Sequence, residues 1–184
     1  MTESARNTSV RDEDLMERFK NGDERAFVAL YERYKRRVLA YCLKMVSSRE
    51  LAEDVFQETF VRVARKAENF KSGNFAGWLF AIARNLCLNA LRDNVQHVSL
   101  EEVQDSLPTE EEPEFEISSE VLRGAIDQLP PDLREALVLR VYSGFSYNEI
   151  SEITGTKLAT VKVRIFRGKQ KLHEILSPYF ADKV

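Results

Sequence analysis

The stretch from Ser146 to Leu172 limits what this chain can fold into more than any other. Tyr147, Ile150 and Ile153 are spaced three apart, which predicts one apolar face of a short helix. Gly155 follows them, where a helix end favours a residue in the left-handed region. Thr156 is then placed to cap a second helix whose apolar face reads Leu158, Val161, Ile165 and Leu172. Between those positions lie Lys157, Lys162, Arg164, Arg167, Lys169 and Lys171, with no acid from 157 to 171. Two helices joined by a short glycine turn, the second basic, are what a helix-turn-helix needs to enter a major groove. A helical hairpin with a solvated basic face would share this spacing. The one-sided charge decides for DNA, because a solvated helix mixes signs to gain i,i+4 pairs.

The formal net charge of -3 looks wrong for a nucleic-acid binder until it is divided along the chain. Residues 1–100 hold 17 Lys and Arg against 14 Asp and Glu. Residues 101–120 hold 9 acids and no base, and residues 121–184 hold 10 bases against 7 acids. Two parts of charge +3 therefore flank an acidic strap, and the overall balance conceals them. The strap, which includes Glu101-Glu102, Pro108, Glu110 to Glu112 and Pro113, reads as a flexible linker of low hydrophobicity.

Everything outside the strap reads as helix. Asp14 to Phe19 suggest a short one, ending at Asn21-Gly22-Asp23. Asp23 can cap a longer helix whose stripe is Phe27, Leu30, Tyr31, Tyr34, Val38, Tyr41, Cys42 and Met45. An aromatic stripe of this kind is core. Ser48 opens a third helix to about Ala67, with Ala52, Phe56, Phe60 and Val63 inward. Asp54, Gln57, Glu58 and Val61 share its other face, which by itself reads as a solvated acidic surface. After the loop Phe70 to Phe75, a fourth helix runs from about Ala76 to Arg92 with Trp78, Leu79, Ile82, Leu86 and Leu91. Beyond the strap come Val121 to Ile126, then a helix started by Pro131 with Leu133, Ala136, Leu137 and Val141 inward, ended by Gly144. The fold class is all-α: two small helical domains, residues 10–95 and 119–180, joined by the acidic flexible linker 96–118. The second domain ends in the helix-turn-helix.

Several classes are disfavoured. The longest apolar run, around Trp78 to Ala83, is too short to span a bilayer, and Met1 to Arg6 begin no secretory signal. A cytoplasmic protein without membrane insertion is expected. Cys42 and Cys87 stand apart from any CxxC or nearby His, so buried free thiols are expected, with no metal site. A glycine-rich phosphate loop and a nucleophile–base set are both missing, and His97 and His173 read as exposed. No catalytic residue and no cofactor is expected, and the chain does not read as an enzyme.

Four pieces in order resemble the extracytoplasmic-function (ECF) group of bacterial sigma factors, in the sigma-70 family. They are Ala52 to Val63, Trp78 to Asn85, Leu129-Pro130-Pro131, and Ser146 to Ile150 with Thr160 to Arg164. The resemblance covers about residues 11–178 and implies a non-catalytic subunit that binds core RNA polymerase and recognises promoter DNA, both double-stranded and locally melted. Residues 10–95 would be region 2-like and 119–180 region 4-like. The resemblance puts Asp54, Gln57, Glu58 and Val61 against a coiled coil of the polymerase clamp, where charge supplies register and on-rate. It puts Lys71, Asn74, Phe75, Trp78, Arg84, Asn85 and Arg92 at the minus-ten element, where an extruded base needs a polar pocket, aromatic walls and cations. The minus-thirty-five contacts fall on Lys157, Thr160, Lys162, Val163, Arg164, Phe166 and Arg167. Lys162 and Arg167 stand about 140° apart around a helix, so they divide the work, and Lys162 or Arg167 is expected to read bases while Arg164 and Lys157 grip phosphate. Gly168 stands where the family has alanine, Val163 where it has a small polar residue, and Asn89 where it often has aspartate. The resemblance also implies an anti-sigma factor as partner and threads the strap toward the polymerase active-site cleft. The other reading from the residues is a stand-alone helix-turn-helix regulator with a sensing or dimerising first domain, and the motif at 52–63 separates the two.

Overall fold

A computed structural model describes residues 10–46, 48–94 and 119–181, and these are helical with no strand among them. The acidic strap 96–118 and His97 lie outside the described residues.

Local chemistry sets most helix ends. Helix α1 (Asp12–Lys20) starts with Asp12, Glu13 and Asp14 and finishes with Arg18 and Lys20, the arrangement that suits the helix dipole. Helix α2 (Glu24–Met45) is capped by Asp23, whose carboxylate accepts from Arg25 N at 3.1 Å. Arg18 donates to that carboxylate at 2.6 Å and, with the backbone donors, holds its pKa below the usual value. Helix α3 (Arg49–Arg65) begins at Ser48, whose hydroxyl accepts from Leu51 N at 3.3 Å. It stops before Ala67, which opens a single 3₁₀ turn to Asn69 instead. Helix α4 (Phe75–Asn94) follows the loop, and Asn74 Oδ1 accepts from Gly77 N at 3.0 Å.

The second half contains α5 (Ser119–Asp127), α6 (Pro131–Leu137), α7 (Tyr147–Thr154) and α8 (Leu158–Ala181). Pro131 sits in the first turn of α6, where its missing N–H costs nothing. That helix continues through a π turn, Val138–Tyr142. The wider turn delays the phase of the helix. Val141 is therefore 60% exposed, where an unbroken 3.6-residue period places it inside, and Val138 and Leu139 are buried instead.

The α2 stripe is core as expected: Leu30, Tyr34, Val38, Tyr41, Cys42 and Met45 are buried, with Phe27 and Tyr31 half-buried against Phe60. On α3 the inward set also includes Val55 and Thr59, the latter made tolerable by donating to Val55 O at 2.7 Å. Cys42 and Cys87 are buried free thiols. A hydrogen bond with Cys42, then burial, raises the Cys87 pKa, which leaves that thiol inert. Buried apolar residues of both halves form one continuous cluster, from Leu15 to Ile165, so the halves share a seam. No described helix is long and apolar enough to cross a membrane.

Candidate nucleic-acid interface

The glycine turn of the helix-turn-helix is built by two caps. Ser146 and Glu149 form a capping box at the start of α7: Glu149 N donates to the Ser146 hydroxyl at 3.3 Å and Ser146 N donates to the Glu149 carboxylate at 2.8 Å. Hydrogen bonding by Ser146, side chain first and backbone second, holds the Glu149 carboxyl below its usual pKa. Gly155 closes α7 at φ +65°, the left-handed conformation its position called for. Thr156 does not stand next to the first residue of α8; Lys157 does, and the Thr156 hydroxyl is 2.8 Å from that of Thr154.

Helix α8 then presents two sides. Val161, Ile165 and Gly168 are buried and Leu172 half-buried, while Leu158 lies at the edge with 36% exposure. Lys157, Thr160, Lys162, Val163, Phe166 and Arg167 are all exposed. At 100° per residue, Lys162, Phe166, Val163 and Arg167 fall in that order across about 140° of outward surface. Arg164 lies toward the flank and pairs with Asp132 of α6 at 3.3 Å. Part of its charge is thus committed within the protein. Gly168 has a positive reason: a Cβ there would come within 2.9 Å of the Leu137 side chain and 3.4 Å of Leu133 O. Close approach of α8 to α6 requires the residue that helix propensity disfavours.

The polar face expected on α3 is present, with Asp54, Gln57 and Val61 exposed. Glu58 is half-buried and accepts from Arg62 Nε at 2.7 Å, one turn along the same helix. Aliphatic Val61, 40% exposed, sits among the acids as a small apolar contact.

The minus-ten candidates divide into four places. Trp78, Asn85 and Arg92 recur at seven-residue intervals and share one face of α4, with Trp78 half-buried against Phe70 at 5.3 Å. Lys71 is exposed in the loop, beside a cleft of about 390 Å³ whose opposite wall is Glu13, Glu17 and Lys20 of α1. Phe75 is a correction: it is 1% exposed and packed edge-on against Tyr34 and Phe70, because the start of α4 turns it into the core. It is not a surface wall.

The remaining two, Asn74 and Arg84, face the other half of the chain. Arg84 Nε lies 2.7 Å from Glu135 of α6, and Arg84 Nη2 donates to that carboxylate at 3.3 Å. The Glu135 side chain is 4% exposed. Asn74 Nδ2 donates to Glu149 of α7 at 2.8 Å. Around them Arg37 of α2 donates to Ser143 O at 2.5 Å and lies 5.5 to 5.6 Å from the rings of Tyr34, Phe80 and Phe145. Phe80 and Phe145 meet edge to face at 4.8 Å, and Lys44 sits 3.8 Å over Tyr142. Periodicity cannot show Arg37, Phe80 and Phe145 meeting, since sequence carries no sign of contacts about a hundred residues apart. A cation inside an aromatic stripe, as at Arg37, is the one local hint.

Family models for Sigma-70 region 2 and for Sigma-70, region 4 match residues 30–96 and 119–172. The chain is 35% identical to the ECF RNA polymerase sigma factor SigE of Mycolicibacterium smegmatis over 88% of its length, and spans 66% of that relative. It is 34% identical to the ECF RNA polymerase sigma-E factor of Haemophilus influenzae over 92% of its length, covering 97% of that protein. Among solved structures it resembles the sigma factor RpoE of Bartonella quintana, crystallised with the anti-sigma factor NepR. The TM-score is 0.73 and the identity 26%, over 82% of this chain and 96% of that one.

Proposed function

This chain belongs to the ECF RNA polymerase sigma factors, and from that membership we propose how its parts divide the work of initiation. Residues 10–95 act as region 2, holding core polymerase through Asp54, Gln57, Glu58 and Val61 and engaging the opened minus-ten strand through the loop at Lys71 and Asn74 and the α4 face of Trp78, Asn85 and Arg92. Residues 119–180 act as region 4, reading duplex DNA upstream. The strap 96–118, outside the described residues, connects them through the polymerase. The protein directs a polymerase and performs no catalysis of its own, in the cytoplasm where that polymerase works. A regulon of stress or envelope genes fits this group.

The observation that carries the reading is α8. Four exposed side chains of complementary chemistry, Lys162, Val163, Phe166 and Arg167, stand on one outward surface over a buried anchoring face. Cations can reach guanine edges or phosphate, and apolar groups can touch thymine methyls. The Sigma-70 region 2 match at 30–96 supports an initiation factor over a stand-alone helix-turn-helix regulator. An anti-sigma partner is supported by the Bartonella quintana RpoE structure, in which such a protein is bound. Runoff transcription with core polymerase tests the reading: initiation at a defined site is expected only when the protein is added. Initiation that is equal without it overturns the assignment.

A further inference from the structure

We infer that Val163 and Phe166 form a reader of C5-methyl groups, selecting thymine at a fixed step of the upstream duplex and accepting 5-methylcytosine in its place. This deepens the reading of α8 as the helix that enters duplex DNA, and rests on it. Val163 is 47% exposed and Phe166 62%, although Val161 and Ile165 of the same helix are buried. The pair stands three residues apart, so the two side chains are neighbours on the helix surface, about 4.5 Å apart along its axis. Measured around the helix from Lys162, Phe166 lies at about 40°, Val163 at about 100° and Arg167 at about 140°. The buried anchors Val161, Ile165 and Gly168 fall between about 240° and 300°. The apolar pair therefore points away from the protein, with a cation on either side of it.

A helix seated in a major groove turns the middle of its outward face to the base edges and its margins toward the sugar–phosphate walls. Here the middle is apolar and the margins are Lys162 and Arg167, both exposed. Lys157, just before the helix, and Lys169 within it are exposed as well, so the charge around the pair suits a polyanion rather than an apolar protein surface. Among the base edges in that groove, only thymine presents an apolar group, its C5 methyl. Guanine O6 and N7, or the cytosine amino group, laid against Val163 and Phe166 would lose water and gain no hydrogen bond. Val163 offers neither donor nor acceptor, unlike the small polar residue that the family has at this position. Selection is thus double: a methyl gains contact, and a polar edge is desolvated without a partner. Successive bases of a strand are about 3.4 Å apart, so two side chains about 4.5 Å apart reach neighbouring pairs. 5-Methylcytosine carries the same methyl on the same ring carbon and regains the contact that cytosine lacks.

The test uses holoenzyme assembled from core polymerase and the full-length protein. Runoff transcription from templates randomised upstream first identifies the preferred element. No protein-dependent initiation overturns the proposed function and this inference with it, whereas initiation with no preferred thymine in the element overturns the inference alone. Each preferred thymine, on either strand, is then replaced singly by deoxyuridine, which removes only the methyl. At one or two adjacent positions wild type should lose about three- to fivefold in initiation rate, the effect of taking one methyl from an apolar contact. Deoxycytidine paired with guanine at the same position should be weaker still, and 5-methyldeoxycytidine should exceed it by about two- to fivefold. In Val163→Ser and Phe166→Ala, both at exposed positions and checked for helicity by circular dichroism, thymine and uracil should become equivalent at the pair each side chain covers. Equal use of thymine and uracil by wild type at every position overturns the methyl reader. So does a uracil penalty that survives unchanged in both variants, or 5-methyldeoxycytidine that works no better than deoxycytidine. If a variant loses helicity, the base substitutions read by wild type decide.

Discussion

The two surfaces that we propose read DNA, α4 with its preceding loop and the outward face of α8, are prepared differently. The α8 face stands in solvent, and of its cations Arg164 is paired to a neighbouring helix. The α4 region has Asn74 and Arg84 in contact with acids from α7 and α6, and its Phe75 is sunk into the core. Duplex DNA needs only a rigid helix of the right section, so that reader can be finished in advance. An unpaired base has to be trapped after unstacking, so its reader needs a pocket and donors not spent elsewhere. On that proposal, exposure in the folded chain tracks the kind of DNA assigned to each surface.

The largest effect that would sharpen this contrast is expected at Trp78. Trp78→Ala removes a stacking surface and part of the packing on Phe70, at about 3 kcal/mol in urea unfolding. Promoter melting, followed by permanganate reactivity of unpaired thymines, should fall much further than binding to an upstream-element duplex. Equal losses in the two assays would erase the difference between the readers.

Next come Lys162→Ala and Arg167→Ala on α8, each expected to cost about 1–3 kcal/mol if it reads a base, concentrated at one upstream position. Transcription from a library randomised in the upstream element measures this. If neither variant shifts the preferred bases, α8 grips the backbone only. Arg164→Ala, by contrast, should weaken all sequences alike.

Gly168→Ala separates the framework of α8 from its proposed reading face. Helix propensity favours alanine by up to about 1 kcal/mol, yet the new methyl meets Leu137 at 2.9 Å. Overpacking of about 1–3 kcal/mol is expected to win, lowering the urea midpoint while base preference stays unchanged. A rise in stability would show that the α6–α8 contact yields easily.

The proposed polymerase face of the first half can be probed without disturbing either proposed reader. Asp54→Lys with Glu58→Lys should weaken core-polymerase binding about tenfold, mostly through the association rate, with helicity retained. Wild-type binding by the double variant would move the contact elsewhere.

The smallest expected effect is a pH response at the α7 cap. Because the folded Glu149 carboxyl titrates below its ordinary 4.5, its stabilising contribution is present above about pH 4.5 and is lost as pH falls through the lower folded value. The Ser146 backbone amide proton, followed by NMR, should report that titration, and Asn74 should lose its contact over the same range. An Asn74 side chain that does not respond would break the link between this cap and the α4 surface.

Sequence by itself determined the helices, most of their ends and the family, because those depend on neighbours a few residues apart. Asp23, Ser48, Ser146 and Gly155 act at the positions their chemistry dictates, and Pro131 starts α6. The outward face of α8 was legible for the same reason, its exposed and buried residues alternating with the helical period. Tertiary structure alone decided the rest. Val141 left the core when a π turn shifted its phase, and Gly168 proved to be demanded by Leu137. Phe75 turned inward under Tyr34, while Arg84 and Asn74 turned toward Glu135 and Glu149, 51 and 75 residues away. Periodicity reports which side of a helix is apolar. It carries no information about which distant helix will lie against that side, and contacts of that range settle whether a donor faces solvent or is already held.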